Sequence, residues 1–99
     1  MTEQGLRYVI CYDVPDDKRR TRVAKTLDNY GSRVQYSVYE AVLDSDLLGS
    51  MLHDLEAIVR PAEDRVIVYT LCRGCAKRRV VFGTTPENGW PGEEFVFIV

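Results

Sequence analysis

Asp13 stands where an apolar run stops. Tyr8-Val9-Ile10-Cys11-Tyr12 ends in this aspartate, Pro15 turns the chain, and a segment dense in arginine follows at once, Asp16-Asp17-Lys18-Arg19-Arg20-Thr21-Arg22. A carboxylate at a strand end can hold a divalent cation. Arginines a turn or two away can hold phosphate oxygens by paired hydrogen bonds. These residue types point to phosphate-backbone chemistry or phosphate-backbone binding. Cleaving a phosphodiester needs an activated water and neutralised charge on phosphorus. Mg²⁺ or Mn²⁺ supplies both when carboxylates hold it and leave waters in place. A single Asp13 is a poor metal site, and two from a pair of subunits would make a weak one. Tyr12 could orient a phosphate or a water, which makes Asp13 and Tyr12 the candidate catalytic pair. Arg20 and Arg33 could grip non-bridging oxygens, and Ser37 could donate a hydrogen bond. Tyr39 packs, with a second use in stacking on a base or sugar. Arg19, Arg22, Lys77, Arg78 and Arg79 would follow a nucleic-acid backbone without reading its sequence.

Each residue also has a plainer use. Asp16 and Asp17 suit a helix start, where the dipole favours carboxylates. Arg20 could pair with either of them at the surface, for at most about 1 kcal/mol. Tyr8, Tyr36 and Tyr69 read as core or interface. Cys11 reads as a small core residue. Cys72-Arg73-Gly74-Cys75 has the spacing of half a zinc site or of a redox pair. The sole histidine, His53, lies far away on a helical pattern and faces solvent, so a tetrahedral zinc site within one subunit is not expected. Three cysteines, an odd count, argue against a disulfide framework.

The elements that must position these groups follow from periodicity. Residues 6–13 alternate as a strand, with Tyr8, Ile10 and Tyr12 on one face and Val9, Cys11 and Asp13 on the other. Asp16 or Asp17 caps a helix that runs to about Tyr30 on a Val23, Leu27, Tyr30 stripe, with Gly31 as its C-terminal cap. Residues 33–43 are β-branched and aromatic and read as one long strand. Asp44 or Ser45 caps a second helix with Leu48, Met51, Leu52, Leu55, Ile58 and Val59 on its apolar side, and Pro61 ends it. Residues 65–71 form a strand, a basic loop follows, residues 79–82 form a short strand, and Gly83 stops it. Residues 85–92 are turn chemistry, and Phe95-Val96-Phe97-Ile98-Val99 is an apolar last strand expected to pair with a sheet edge. The order fits an α+β, ferredoxin-like βαββαβ sandwich with an extra C-terminal strand, two helices covering one face of an antiparallel sheet. The other face is apolar in places, through Tyr8, Ile10, Tyr36 and Val38 or their alternates. A second copy of the chain is the simplest cover.

Ninety-nine residues form one domain, 1–99. No apolar stretch reaches a membrane span, and the first residues lack the pattern of a signal peptide, so no membrane role and a cytoplasmic location are expected. The net charge of −2 hides a sorting by segment, because residues 18–33 and 73–79 are basic while 44–64 is acidic. Basic residues that share a face bind nucleic acid whatever the total.

The chain resembles the CRISPR-associated protein 2 family over nearly its whole length. The resemblance is carried by Tyr12-Asp13-Val14 with Asp16-Asp17-Lys18-Arg19-Arg20. It is also carried by Leu27-Asp28-Asn29-Tyr30-Gly31-Ser32-Arg33-Val34-Gln35-Tyr36-Ser37-Val38-Tyr39-Glu40. It implies the ferredoxin-like fold and a homodimer with sheets face to face, in which Asp13 of each subunit approaches the two-fold axis. It implies Mg²⁺-dependent cleavage of RNA or double-stranded DNA there in some members. It also implies a scaffold role in spacer acquisition, with the dimer between integrase subunits and the C-terminal strand making that contact. Three functions therefore compete: a metal-dependent endonuclease, a non-catalytic DNA-binding scaffold of the integrase complex, and a toxin-like RNase of related fold. An RNA-recognition module is disfavoured, since its paired aromatic motifs are missing from the central strands.

Overall fold

The computed structural model describes residues 5–84 and the backbone of Phe97–Ile98. In chain order the elements are β1 (Leu6–Asp13), α1 (Asp17–Asp28), β2 (Ser32–Gln35), β3 (Val38–Leu43), α2 (Ser45–Glu56), β4 (Arg65–Leu71), α3 (Arg73–Lys77), β5 (Val80–Val81) and β6 (Phe97–Ile98). Strands β2-β3-β1-β4 form an antiparallel sheet in that order, and β1 lies inside it between β3 and β4.

Alternation along β1 decides the two faces. Tyr8, Ile10 and Tyr12 join Val23, Leu27, Tyr39, Ala41, Leu43, Met51 and Leu55 in the core beneath α1 and α2. Asp16 caps α1 by accepting the Arg19 amide at 2.9 Å, and Asp44 caps α2 by accepting the Leu47 amide at 2.8 Å. Along α2, Met51 and Leu55 are buried, while Leu52, expected in the same stripe, is largely exposed.

Four expectations are corrected. Residues 33–43 are a hairpin, broken at Tyr36–Ser37 with a register shift between Arg33 and Gln35. No glycine or proline marks the turn. It is held from outside, since the Ser37 carbonyl accepts the Tyr12 amide at 3.1 Å. Gly31 is not a left-handed cap, because Asn29 ends α1 in right-handed geometry. Glycine is needed at 31 for close approach: a Cβ there would lie 2.1 Å from the Glu40 carbonyl oxygen. The basic loop contains α3, capped by Cys72. Tyr8 and Ile10 belong to the helix-covered face, so the open face carries their alternates Val9 and Cys11, with Val38, Glu40 and Val42 from β3 and Ile67 and Tyr69 from β4.

The backbone of β6 pairs in parallel with β5, in a small sheet separate from the four-stranded one. The expected edge pairing of the last strand is thus made with β5, not with the main sheet. Residues 85–92 and the rest of that strand lie outside the described residues.

Candidate functional site at the end of the first strand

The site forms where β1 leaves the sheet. Asp13 is the last residue of β1, exposed, on the open face, in register with Arg65 of β4. No described residue donates a hydrogen bond to its carboxylate. Arg20, one turn into α1, reaches back to the following turn. Its guanidinium donates to the Val14 carbonyl at 3.1 Å and the Pro15 carbonyl at 3.3 Å, and pairs with Asp17. The Asp17 hydrogen bond raises its pKa above the ordinary arginine value. The side chain keeps about a third of its surface in solvent. A cation is thereby fixed within two residues of a free carboxylate.

Tyr12 points the other way. Its ring is buried among the core residues and tilts against Tyr39, with centroids 6.3 Å apart. Its hydroxyl donates to the Tyr36 carbonyl at 3.4 Å. Adjacent strand residues face opposite sides, so Tyr12 cannot share a water with Asp13 on the open face. The expected catalytic role of Tyr12 is corrected to a positioning one: it holds the β2–β3 turn. Tyr39 is corrected likewise. It is 1% exposed, and its hydroxyl donates to Asp28 Oδ1 at 2.7 Å and the Ala24 carbonyl at 3.1 Å. Burial, then the Asp28 bond, push its pKa up to about 12. No face of the ring is open to a base. Arg33 covers it instead, with Cζ 5.5 Å from the ring centroid, a cation–π contact that leaves Arg33 itself exposed.

The remaining basic residues divide. Arg22 is exposed on α1, and Ser37 is half-buried in the turn beside Tyr36. Arg19 is corrected from a backbone tracker to an internal clamp: it donates to Asp64 at 2.8 and 3.0 Å and to Glu63 at 2.8 Å, tying α1 to the turn before β4. That bond holds the Asp64 carboxyl below the usual range. Arg79 is corrected too, because it pairs with Glu40, which also accepts Arg7 at 3.3 Å. This Arg7–Glu40–Arg79 group lies toward the opposite end of the open face. Arg7 and Asp13 are six residues apart on one strand, roughly 20 Å. Lys77, the last residue of α3, and Arg78, its C-cap, are exposed and therefore belong to a second basic patch and not to the Asp13 end.

Of the two uses expected for Tyr36, core and interface, its exposure excludes the core. Tyr36 is 77% exposed at the hairpin tip. A turn at 36–37 would have exposed it, but the sequence gives no turn signal there.

Mg²⁺ tolerates one or two carboxylates if waters complete its octahedron. Among the described residues no three His, Cys, Asp or Glu side chains gather to hold a metal ion. Asp13 by itself therefore offers a divalent cation at most half a site. The open face carries apolar surface: Ile67 and Tyr69 are exposed on it, and Val9, Cys11 and Val38 half-buried. No helix among the described residues is long and apolar enough to cross a membrane.

Comparison with known proteins identifies the family and the fold. The family described as CRISPR associated protein Cas2 matches residues 6–79. CRISPR-associated endoribonuclease Cas2 4 of Rhodospirillum rubrum is 49% identical over 82 residues, which span 83% of this chain and 66% of that protein. The crystal structure of Streptococcus pyogenes Cas2 at pH 6.5 superposes with a TM-score of 0.71 at 29% identity, covering 79% of this chain and 100% of that one. A chain of a partial Cas6-RT-Cas1–Cas2 complex superposes with a TM-score of 0.66 at 28% identity, covering 91% and 93%.

Proposed function

This chain belongs to the CRISPR-associated protein Cas2 family, and we propose that it works as a homodimeric, metal-dependent endonuclease on RNA or double-stranded DNA. The observation that carries this is the free Asp13 carboxylate on an uncovered apolar face, with Arg20 locked to the turn beside it. Two copies joined through their open faces would set two Asp13 carboxylates toward one scissile phosphate. These would hold Mg²⁺ or Mn²⁺, which when bound supplies an activated water and neutralises charge on phosphorus. Arg20 and Arg33 from each subunit would grip non-bridging oxygens and fix the strand's direction. Arg20 is pre-oriented by its own carbonyl contacts, so it loses little freedom on gripping. Tyr12 does no proton transfer in this scheme. It pins the hairpin that carries Arg33 and Ser37 and presents Tyr36 to an unstacked base.

A second reading, a dimeric nucleic-acid scaffold for an integrase, is supported by the likeness to a chain in a Cas1–Cas2 assembly. Lys77 and Arg78, distant from Asp13, would serve it better than they serve cleavage. The C-terminal strand would supply the integrase contact.

The test is a cleavage assay on single-stranded RNA and on duplex DNA, with and without Mg²⁺, beside Asp13→Asn. The nuclease reading expects cleavage that needs the metal and is lost in the variant, with the dimer intact. Metal-dependent cleavage that survives Asp13→Asn would remove Asp13 from the chemistry. Absence of cleavage by the wild type on every substrate, with DNA binding retained, would leave the scaffold.

A further inference from the structure

The motif that the Asp13 site leaves unused is Cys72-Arg73-Gly74-Cys75, and the fold has placed the first sulfur against the backbone of the second cysteine. Cys72 caps α3, and its Sγ accepts the Cys75 amide at 3.2 Å. Both cysteines are exposed and both are free thiols. They lie between Leu71, the last residue of β4, and Ala76, which is buried and anchors the segment on the body of the domain. The pair is thus held on a fixed support and open to reagents.

We propose that Cys72 and Cys75 form a thiol–disulfide exchange site, with Cys72 as the attacking sulfur, Cys75 as the resolving one, and a small disulfide as the oxidant. This chemistry is independent of any nucleic-acid reaction at Asp13.

The asymmetry of the pair assigns the roles. The Cys75 side chain and the Cys75 amide favour charge on Cys72 Sγ, the amide donating to it at 3.2 Å, and the Gly74 amide and Arg78 favour it further. Together they hold the Cys72 thiol below its ordinary value. The same pairing works against Cys75: the neighbouring Cys72 sulfur pushes its thiol up. A thiolate is the nucleophile in exchange, so the sulfur that ionises first attacks first. Because Cys72 Sγ already sits 3.2 Å from the Cys75 backbone nitrogen, closing the bond calls for the Cys75 side chain to turn toward it.

The steps balance. Cys72 Sγ⁻ attacks one sulfur of the small disulfide, that S–S bond breaks, a mixed disulfide forms on Cys72 and the first small thiolate leaves. Cys75 then gives its proton to solvent and attacks Cys72 Sγ. The Cys72–Cys75 bond forms and the second small thiolate leaves. Two protein thiols are oxidised, the small disulfide is reduced to two thiols, and the protons lost by the cysteines end on those thiols.

The test uses the full-length protein and glutathione disulfide, read by intact mass and by alkylation mapping. Three results are expected. The wild type loses two hydrogens with no retained glutathione, and the closed pair maps to Cys72–Cys75. Cys75→Ser retains one glutathione, mapped to Cys72. Limiting alkylation at neutral pH labels Cys72 at least several-fold faster than Cys75 or Cys11, the last serving as an internal control on β1. The proposal is overturned by equal labelling of the three thiols, by a Cys75→Ser variant that traps no glutathione, or by purified protein carrying stoichiometric zinc that protects both thiols. Circular dichroism of the serine variant keeps a folding failure from being mistaken for a loss of reactivity.

Discussion

Replacing Gly31 by alanine tests whether the α1–β3 junction is as tight as it looks. The new Cβ would sit 2.1 Å from the Glu40 carbonyl oxygen, 2.8 Å from the Ala41 Cβ and 2.9 Å from the Glu40 carbonyl carbon. Two of these three atoms are backbone, so no side chain can rotate out of the way. Contacts of a Cβ below 3.0 Å are essentially never seen, so the junction must open by about 0.9 Å. Opening it strains the first β2–β3 pairing, Ser32 with Glu40, and lifts Ala41 from the core. Overpacking of this kind costs roughly 1–3 kcal/mol, and a backbone clash belongs at the upper end, about 3. A domain of this size has only about 5–15 kcal/mol to lose. With a urea m-value of about 1–3 kcal/mol per molar, the midpoint should fall by roughly 1–3 M. Gly49 is the matched control, since it lies in the middle of α2 and its Cβ would meet nothing within 4 Å. Gly49→Ala should raise stability by up to about 1 kcal/mol through helix propensity alone. A Gly31→Ala loss under about 1 kcal/mol, or equal effects at the two positions, would refute the reasoning.

Two further outcomes follow from the charged residues. The Asp64 carboxyl is held low by Arg19, so its contribution to stability is present above the unfolded value of about 3.9 and is lost as pH falls through the folded value. Asp64→Asn should therefore melt below the wild type at neutral pH, and the gap should close in acid, below about pH 4. A gap that stays constant from neutral to strongly acidic pH would show that Arg19 does not stabilise the ionised form. Arg20→Ala should weaken nucleic-acid binding alike for all sequences and reduce the salt slope by about one ion per removed phosphate contact. An unchanged slope in a titration against salt would take Arg20 off the backbone.

The order of elements was legible because alternation in β1 and the stripes of α1 and α2 are strong signals. The caps were narrowed to Asp16 or Asp17 and to Asp44 or Ser45, and the structure uses Asp16 and Asp44. The hairpin was hidden because Arg33 to Leu43 contains only residues that favour extension, and the break is imposed from β1 through Tyr12 and Ser37. Asp13 and Arg20 could be placed together from local spacing, since a strand end and the next helical turn must be near. Tyr12, Tyr39, Arg19 and Arg79 could not be sorted the same way. Their partners are Tyr36, Asp28, Asp64 and Glu40, and in three of the four cases those partners lie far along the chain. Only the sheet register shows that the 77–79 basic run lies at the other end of the open face from Asp13. The mutual orientation of Cys72 and Cys75 was likewise invisible, because Cys-x-x-Cys spacing gives no account of which sulfur accepts.

The paired-aspartate site is tested most directly by mixing subunits. Wild-type and Asp13→Ala chains are combined in equal amounts, randomised by refolding, and assayed for Mg²⁺-dependent cleavage against the same total protein. If both aspartates of a dimer serve one site, only doubly wild-type dimers cut, and about a quarter of the activity survives. Activity that falls only in proportion to the wild-type fraction, to about half, would mean that each subunit cuts alone and would contradict the shared site.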